Sequence, residues 1–164
     1  WTVTADVVIP KGGAEGVLMA QGGRTGGYTF FVKDHKLYFL YNYLGRDKFW
    51  LKSNETVPEG EVELRYEFEP TGKPNPAEGM GVPARGQLYI NRKLVASIDM
   101  PLSCLFIFGT QGLTCGYDGG EPAAPEEYSG SFPFTGKIKR VTVDLSGEFI
   151  QDSETDMKIA MMRQ

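Results

Sequence analysis

The chain has 164 residues, 41% of them hydrophobic and 23% charged, which suits one domain long enough to bury a core. Its 17 basic and 21 acidic residues leave a net charge of −4, which argues against nucleic acid as a partner because phosphate binding rests on clustered Lys and Arg. No apolar run approaches the ~18 residues of a membrane span, so no membrane partner is expected, and 21 Gly with 10 Pro predict a chain of many turns, meaning an all-β protein.

The predicted elements follow in chain order. Trp1, Val3, Ala5 and Val7 alternate with Thr2, Thr4 and Asp6, which predicts a half-buried strand. The first residue, Trp1, reads as the start of a processed product or an excised piece. "VLMAQGG" is a short apolar strand. "YTFFV" and "KLYFLYNYL" form a hairpin turning at Lys33-Asp34-His35-Lys36. On its second arm Leu37, Phe39, Tyr41 and Tyr43 share one face, and Tyr38, Leu40, Asn42 and Leu44 share the other. Both faces are largely apolar, which predicts a central strand, either covered on both sides or covered on one and aromatic-lined on the other. "DKFWLKS" is a further strand. In "EVELRYEFEP", Val62, Leu64, Tyr66 and Phe68 point in while Glu63, Arg65, Glu67 and Glu69 point out.

A long Gly/Pro loop, "TGKPNPAEGMGVPARG", leads to a hairpin turning at Asn91-Arg92, with Leu88, Ile90, Leu94, Ala96 and Ile98 inward. "CLFIFG" reads as a buried strand, "TCGYDGGEPAAPEEYSGSFPF" as a second long loop, and "GKIKRVTVDL" as a last strand with Ile138, Val141 and Val143 apolar. Residues 1–150 are thus expected to form a β-sandwich. Residues 151–164 form either a frayed tail or one short helix, with Ser153 and Asp156 as a weak capping box and Met157, Ala160 and Met161 on one face.

Residue chemistry narrows the function. The single histidine, His35, falls at a hairpin tip, which makes it a turn residue and disfavours a Ser-His-Asp triad. Cys104 and Cys115 lack a C-x-x-C pattern and are either a hairpin disulfide or two small thiols. Glu61, Glu63, Glu67 and Glu69 alternate with apolar residues, which fits a solvated face better than a glycosidase carboxylate pair. No G-x-S-x-G is present. In "GYDGGEPAAPEEY", Asp118 and Glu121, with Glu126 and Glu127, are candidate oxygen ligands for calcium, although the spacing is not that of an EF-hand. No other cofactor is implied.

Two segments carry more than strand signals: "ADVVIPKGGAEGVLMAQGGRTGGYTFFVKDHKLYFLYNYLG" (Ala5 to Gly45) and "GLTCGYDGGEPAAPEEYSGSFPFTGKIKRVTVDL" (Gly112 to Leu145). Their order and spacing resemble the C-terminal accessory domain of bacterial arylsulfatases, which carries an "EG-V-A-GG-GG---VKDGKL-Y-YN" block and later a "VG-D-G-PV---Y--PFPFTG-I--V-I-L" block. "QLYINRKLVA" stands where that family has an "LYVDGKKVA"-like hairpin, and the tail "KIAMMRQ" resembles the usual end of such chains. The resemblance covers essentially the whole chain. It departs where His35 and Arg92 replace turn glycines, and where the glycine-acid turn reads Cys115-Gly116-Tyr117-Asp118-Gly119.

The resemblance implies a jelly-roll sandwich of concanavalin A-like or laminin G-like type and a periplasmic or extracellular location. It implies no catalysis within this chain, because the C/S-x-P-x-R motif that sulfatases convert to formylglycine is absent: Cys104 leads into Leu-Phe-Ile-Phe, Cys115 into Gly-Tyr-Asp-Gly, and Ser131 into Phe-Pro-Phe-Thr. The expected partner is the catalytic domain of a parent chain, with a homo-oligomer contact as another use of the same surface. The alternative is a carbohydrate-binding module. Arg24, Tyr28, Tyr41, Asn42, Tyr43 and Trp50 are its candidate glycan contacts, and Arg24, Arg46, Lys48 and Lys52 could pair with the sulfates of a sulfated glycan. The competing reading of the same rings is that they fill the core between sheets.

Overall fold

A computed structural model describes residues 1–105 and 111–145. Among these residues, ten strands form two antiparallel five-stranded sheets packed as a β-sandwich. They are β1 (Thr2–Ile9), β2 (Gly16–Gly23), β3 (Gly26–Lys33), β4 (Lys36–Tyr43), β5 (Asp47–Thr56), β6 (Gly60–Pro70), β7 (Ala84–Ile90), β8 (Lys93–Met100), β9 (Thr114–Cys115) and β10 (Lys137–Asp144). The first sheet runs β10-β1-β6-β7-β8 and the second runs β5-β4-β3-β2-β9. Strand β5 packs against β8, which closes one lateral side, while β9 and β10 are the edge strands of the other. The expected short helix and most of "CLFIFG" lie outside the described residues. Cys104 makes only an isolated bridge to Met80.

The two hairpins turn where the sequence predicts. Asp34 and His35 have φ of 48° and 58°, and Asn91 and Arg92 have φ of 49° and 67°. Two successive left-handed residues match the right-handed twist of the flanking strands. His35 and Arg92 hold this conformation without glycine. His35 fits because its ring lies over Gly13, where a Cβ would stand 2.6 Å from Cε1 and Nδ1.

The core between the sheets is aromatic at its centre. Phe39 of β4 stacks on Tyr66 of β6 with ring centroids 3.4 Å apart. Trp1 stacks on Phe68 and also meets Tyr28 and Tyr66, and Tyr28 stacks on Phe39. Val3, Ala5, Val7, Leu18, Phe30, Leu37, Leu51, Val62, Leu64 and Leu88 fill the same interior. Each such aliphatic or phenyl side chain contributes about 1.5–3 kcal/mol by leaving water.

One inward assignment changes at the β8 edge, and one apolar residue of β10 is less covered than its face implies. A bulge sets Leu88 opposite Ala96 but Tyr89 opposite Leu94, so Val95 is the extra residue and turns inward while Leu94 is 48% exposed. Val143 pairs with the fully buried Val3 and so shares its inner face, yet it is 41% exposed. The short β9 reaches Ile138, whose Cδ1 lies 3.5 Å from the Cβ position of Gly116, and ends after Cys115. Among the described residues, Val143 at the other end of β10 is only partly covered.

The Tyr66 hydroxyl is buried and has no hydrogen-bond partner among the described residues. A buried hydroxyl without a partner carries its full desolvation cost. Tyr66→Phe keeps the stack on Phe39 and is expected to raise the stability to urea by about 1 kcal/mol. A loss of stability in that variant would show that the hydroxyl is satisfied in solution.

Candidate functional site

The outer face of β2-β3-β4-β5 is where a wall of exposed rings would bind a sugar, and it is covered. The loop from Gly116 to Phe134 folds across it and lays Ala124, Tyr128 and Phe132 on Val17, Ala20, Phe31, Tyr38 and Leu40. Phe31 stacks on Tyr38 at 4.9 Å and receives the edges of Tyr128 and Phe132. Lys52 caps the other side of this cluster over the Tyr38 ring at 5.1 Å. The sequence allowed coverage on one side or on both, and the structure has both.

Polar groups pin this loop. The Tyr128 hydroxyl donates to Asp118 Oδ2 at 2.7 Å and lies 2.8 Å from Thr29 Oγ1, and all three residues are buried. Burial pushes the Asp118 carboxyl above its ordinary range, while the Tyr128 hydroxyl and the amides of Gly120, Ala123 and Gly119 offset part of that cost. The Asp118 amide donates to Ser131 at 2.7 Å, and the Val17 amide donates to Phe132 at 2.9 Å. Gly16 has no side chain to block this approach, since a Cβ there would stand 2.3 Å from the Pro133 carbonyl oxygen.

The candidate residues therefore separate. Tyr28 and Tyr41 are half-buried in the interior. The Tyr28 hydroxyl donates to Gln21 at 2.9 Å, and the Tyr41 oxygen accepts the Cys104 amide at 2.8 Å. Tyr43 is buried, and Trp50 is half-buried beside the outer cluster. Asn42 is 1% exposed, and its amide donates to the carbonyls of Gly23, Arg24 and Ala123 while its oxygen accepts the Gly45 amide. It ties the β2–β3 turn, the β4–β5 turn and the covering loop together. Arg24 alone of the six is exposed.

The acidic candidates also point apart. Asp118 faces Tyr128, Glu126 pairs with Lys48, Glu127 pairs with Lys33, and Glu121 is exposed. Among the described residues no three His, Cys, Asp or Glu side chains gather to hold a metal ion. Cys104 and Cys115 are both free thiols. On the outer face of β6, Glu61 pairs with Lys139, Glu63 with Arg92 and Glu67 with Arg65, while Glu69 accepts from Gln87. The groove of about 540 Å³ there, lined by Asp6, Glu61, Glu63, Lys139 and Arg140, is already internally charge-paired.

A second, smaller cleft of about 210 Å³ lies between the β2–β3 turn and the covering loop. It is lined by Arg24, Glu121, Pro122, Pro125, Tyr128, Ser129 and Gly130. It joins one residue read from the sequence as a glycan contact, Arg24, with one read as a metal ligand, Glu121. Sequence reasoning missed Tyr128, Phe132 and Thr29. The two large rings inside an otherwise Gly- and Pro-rich loop were the available signal. Comparison with family models and with curated proteins returns no match to this chain.

Burial of the tyrosines sets a pH dependence. Tyr28 and Tyr41 are pushed up to about 12, and Tyr66 and Tyr128 further still, in each case chiefly because burial disfavours the phenolate. The folded state therefore keeps these protons after the unfolded chain has released them near pH 10. Their contribution is intact below about pH 10 and falls as pH rises from there toward 12. In a spectrophotometric phenolate titration, at least these four of the eight tyrosines are expected to ionise late or only with unfolding. Reversible ionisation of all eight near pH 10 would contradict their burial.

Proposed function

We propose that the chain is a non-catalytic C-terminal accessory domain of an arylsulfatase-like protein, which docks on that protein's catalytic domain through its β9–β10 side. The order and spacing of the two sequence blocks support the family reading. On that reading the formylglycine and its metal cage belong to the catalytic domain, and the protein is periplasmic or extracellular.

The observation that carries the docking role is the exposure of apolar side chains along this edge among the described residues. Val143 faces the core side yet stands 41% exposed, and Leu113, Tyr117 and Leu145 beside the same two edge strands are 55%, 48% and 67% exposed. Exposed apolar side chains along one edge of a sandwich suit a protein partner.

The test mixes this domain with the sulfatase catalytic domain encoded with it and follows association by analytical ultracentrifugation. Val143→Glu and Leu113→Glu are expected to weaken association at least about tenfold, a loss of about 1.4 kcal/mol, with the melting temperature unchanged. No association, or association indifferent to both substitutions, would contradict the docking role.

A further inference from the structure

We propose that the cleft between the β2–β3 turn and the covering loop holds one neutral sugar residue, chelated through a vicinal pair of hydroxyls by Arg24 and Glu121. Neither Arg24 nor Glu121 is among the docking residues.

The chemistry of the two charged groups selects the ligand. Arg24 and Glu121 line the same cleft, and neither side chain has a hydrogen-bond or ion-pair partner among the described residues. A guanidinium only donates and a carboxylate only accepts, whereas a hydroxyl does both. Adjacent hydroxyls can accept from Arg24 and donate to Glu121, so each charge gains a partner without a net charge on the ligand. A bare sulfate would pair with Arg24 but face the Glu121 carboxylate, and a cation would meet the reverse conflict. Pro122 and Pro125 offer apolar surface to the C–H face of a sugar ring, and Ser129 adds a hydroxyl. At about 210 Å³ the cleft is smaller than the ~300–1,000 Å³ pockets that take drug-sized ligands, which limits it to about one ring.

Both walls are fixed before any ligand arrives. Asn42 holds the Gly23 and Arg24 carbonyls on one wall and the Ala123 carbonyl on the other. The Gln111 amide, in the orientation its neighbours require, donates to Gly22 at 2.8 Å and accepts the Glu121 amide at 3.0 Å. Gly23 lets the walls close, since a Cβ there would stand 2.6 Å from the Glu121 carbonyl oxygen. Such preorganisation lowers the cost of binding.

The test is an amide NMR titration of the domain with methyl glycosides of glucose, galactose, mannose and fucose, and separately with sodium sulfate. At least one glycoside is expected to shift amides at Arg24, Thr25, Glu121 and Ser129. Arg24→Ala and Glu121→Gln are each expected to weaken that response about tenfold or more while leaving amides of the β-sheets unmoved. The proposal is overturned if no glycoside shifts these amides, if the shifts survive both substitutions, or if only sulfate shifts them. Loss of the glycoside response leaves the ultracentrifugation result untouched, so the two readings fail separately.

Discussion

A sheet with large apolar side chains on both faces must be covered on both, and that constraint organises this molecule. Strands β3 and β4 send Phe30, Leu37 and Phe39 toward the opposite sheet and Phe31, Tyr38 and Leu40 away from it. The second set would be exposed in a bare two-layer sandwich. The segment from Gly116 to Phe134 covers it with Tyr128 and Phe132 and is fastened by a buried chain of oxygens through Asp118, Tyr128 and Thr29. Hydrogen bonds between such groups are worth most where water is excluded, and leaving any one of them unpaired there costs most. The loop is thus part of the core in packing terms, although its sequence has the composition of a surface loop.

What the sequence made legible follows from how local each signal is. The hairpins at Asp34-His35 and Asn91-Arg92 and the alternation along β6 depend on neighbours within a few residues, and the structure keeps all three. Leu94 was misplaced because a bulge adds one residue and reverses the alternation, and nothing in "KLVASI" marks it. The cover on β3 and β4 was open to two readings because it comes from residues about 90 positions away, as in the Thr29–Tyr128 contact across 99 positions. Alternation shows that a face is apolar but not what lies on it.

The candidate site was legible in pieces. Arg24 and Glu121 were both picked out, under different chemistries, and the fold sets them in one cleft. Asn42 was picked out as a sugar contact, and its side chain instead joins three backbone segments. An asparagine with apolar neighbours on the same strand face, two residues from a turn, has the signature of such a tie as much as of a ligand contact. The aromatic wall itself resolves into two packed clusters on either side of one sheet. Among the described residues, the β9–β10 edge and the small cleft differ in chemistry: one exposes apolar side chains, the other is polar and charge-balanced.

Native-state hydrogen exchange tests most directly whether the loop belongs to the core. The amides of Val17, Asp118 and Phe134 donate to the carbonyls of Phe132, Ser131 and Gly116 and report on the loop's closure. The account predicts that they exchange only through the same global opening that frees the amides of β3 and β4, with the same dependence on denaturant. Exchange of these three amides through a separate, low-energy opening, with β3 and β4 still protected, would contradict it. That result would mean Phe31, Tyr38 and Leu40 become available to a ligand, and the rings would regain their claim as a binding platform.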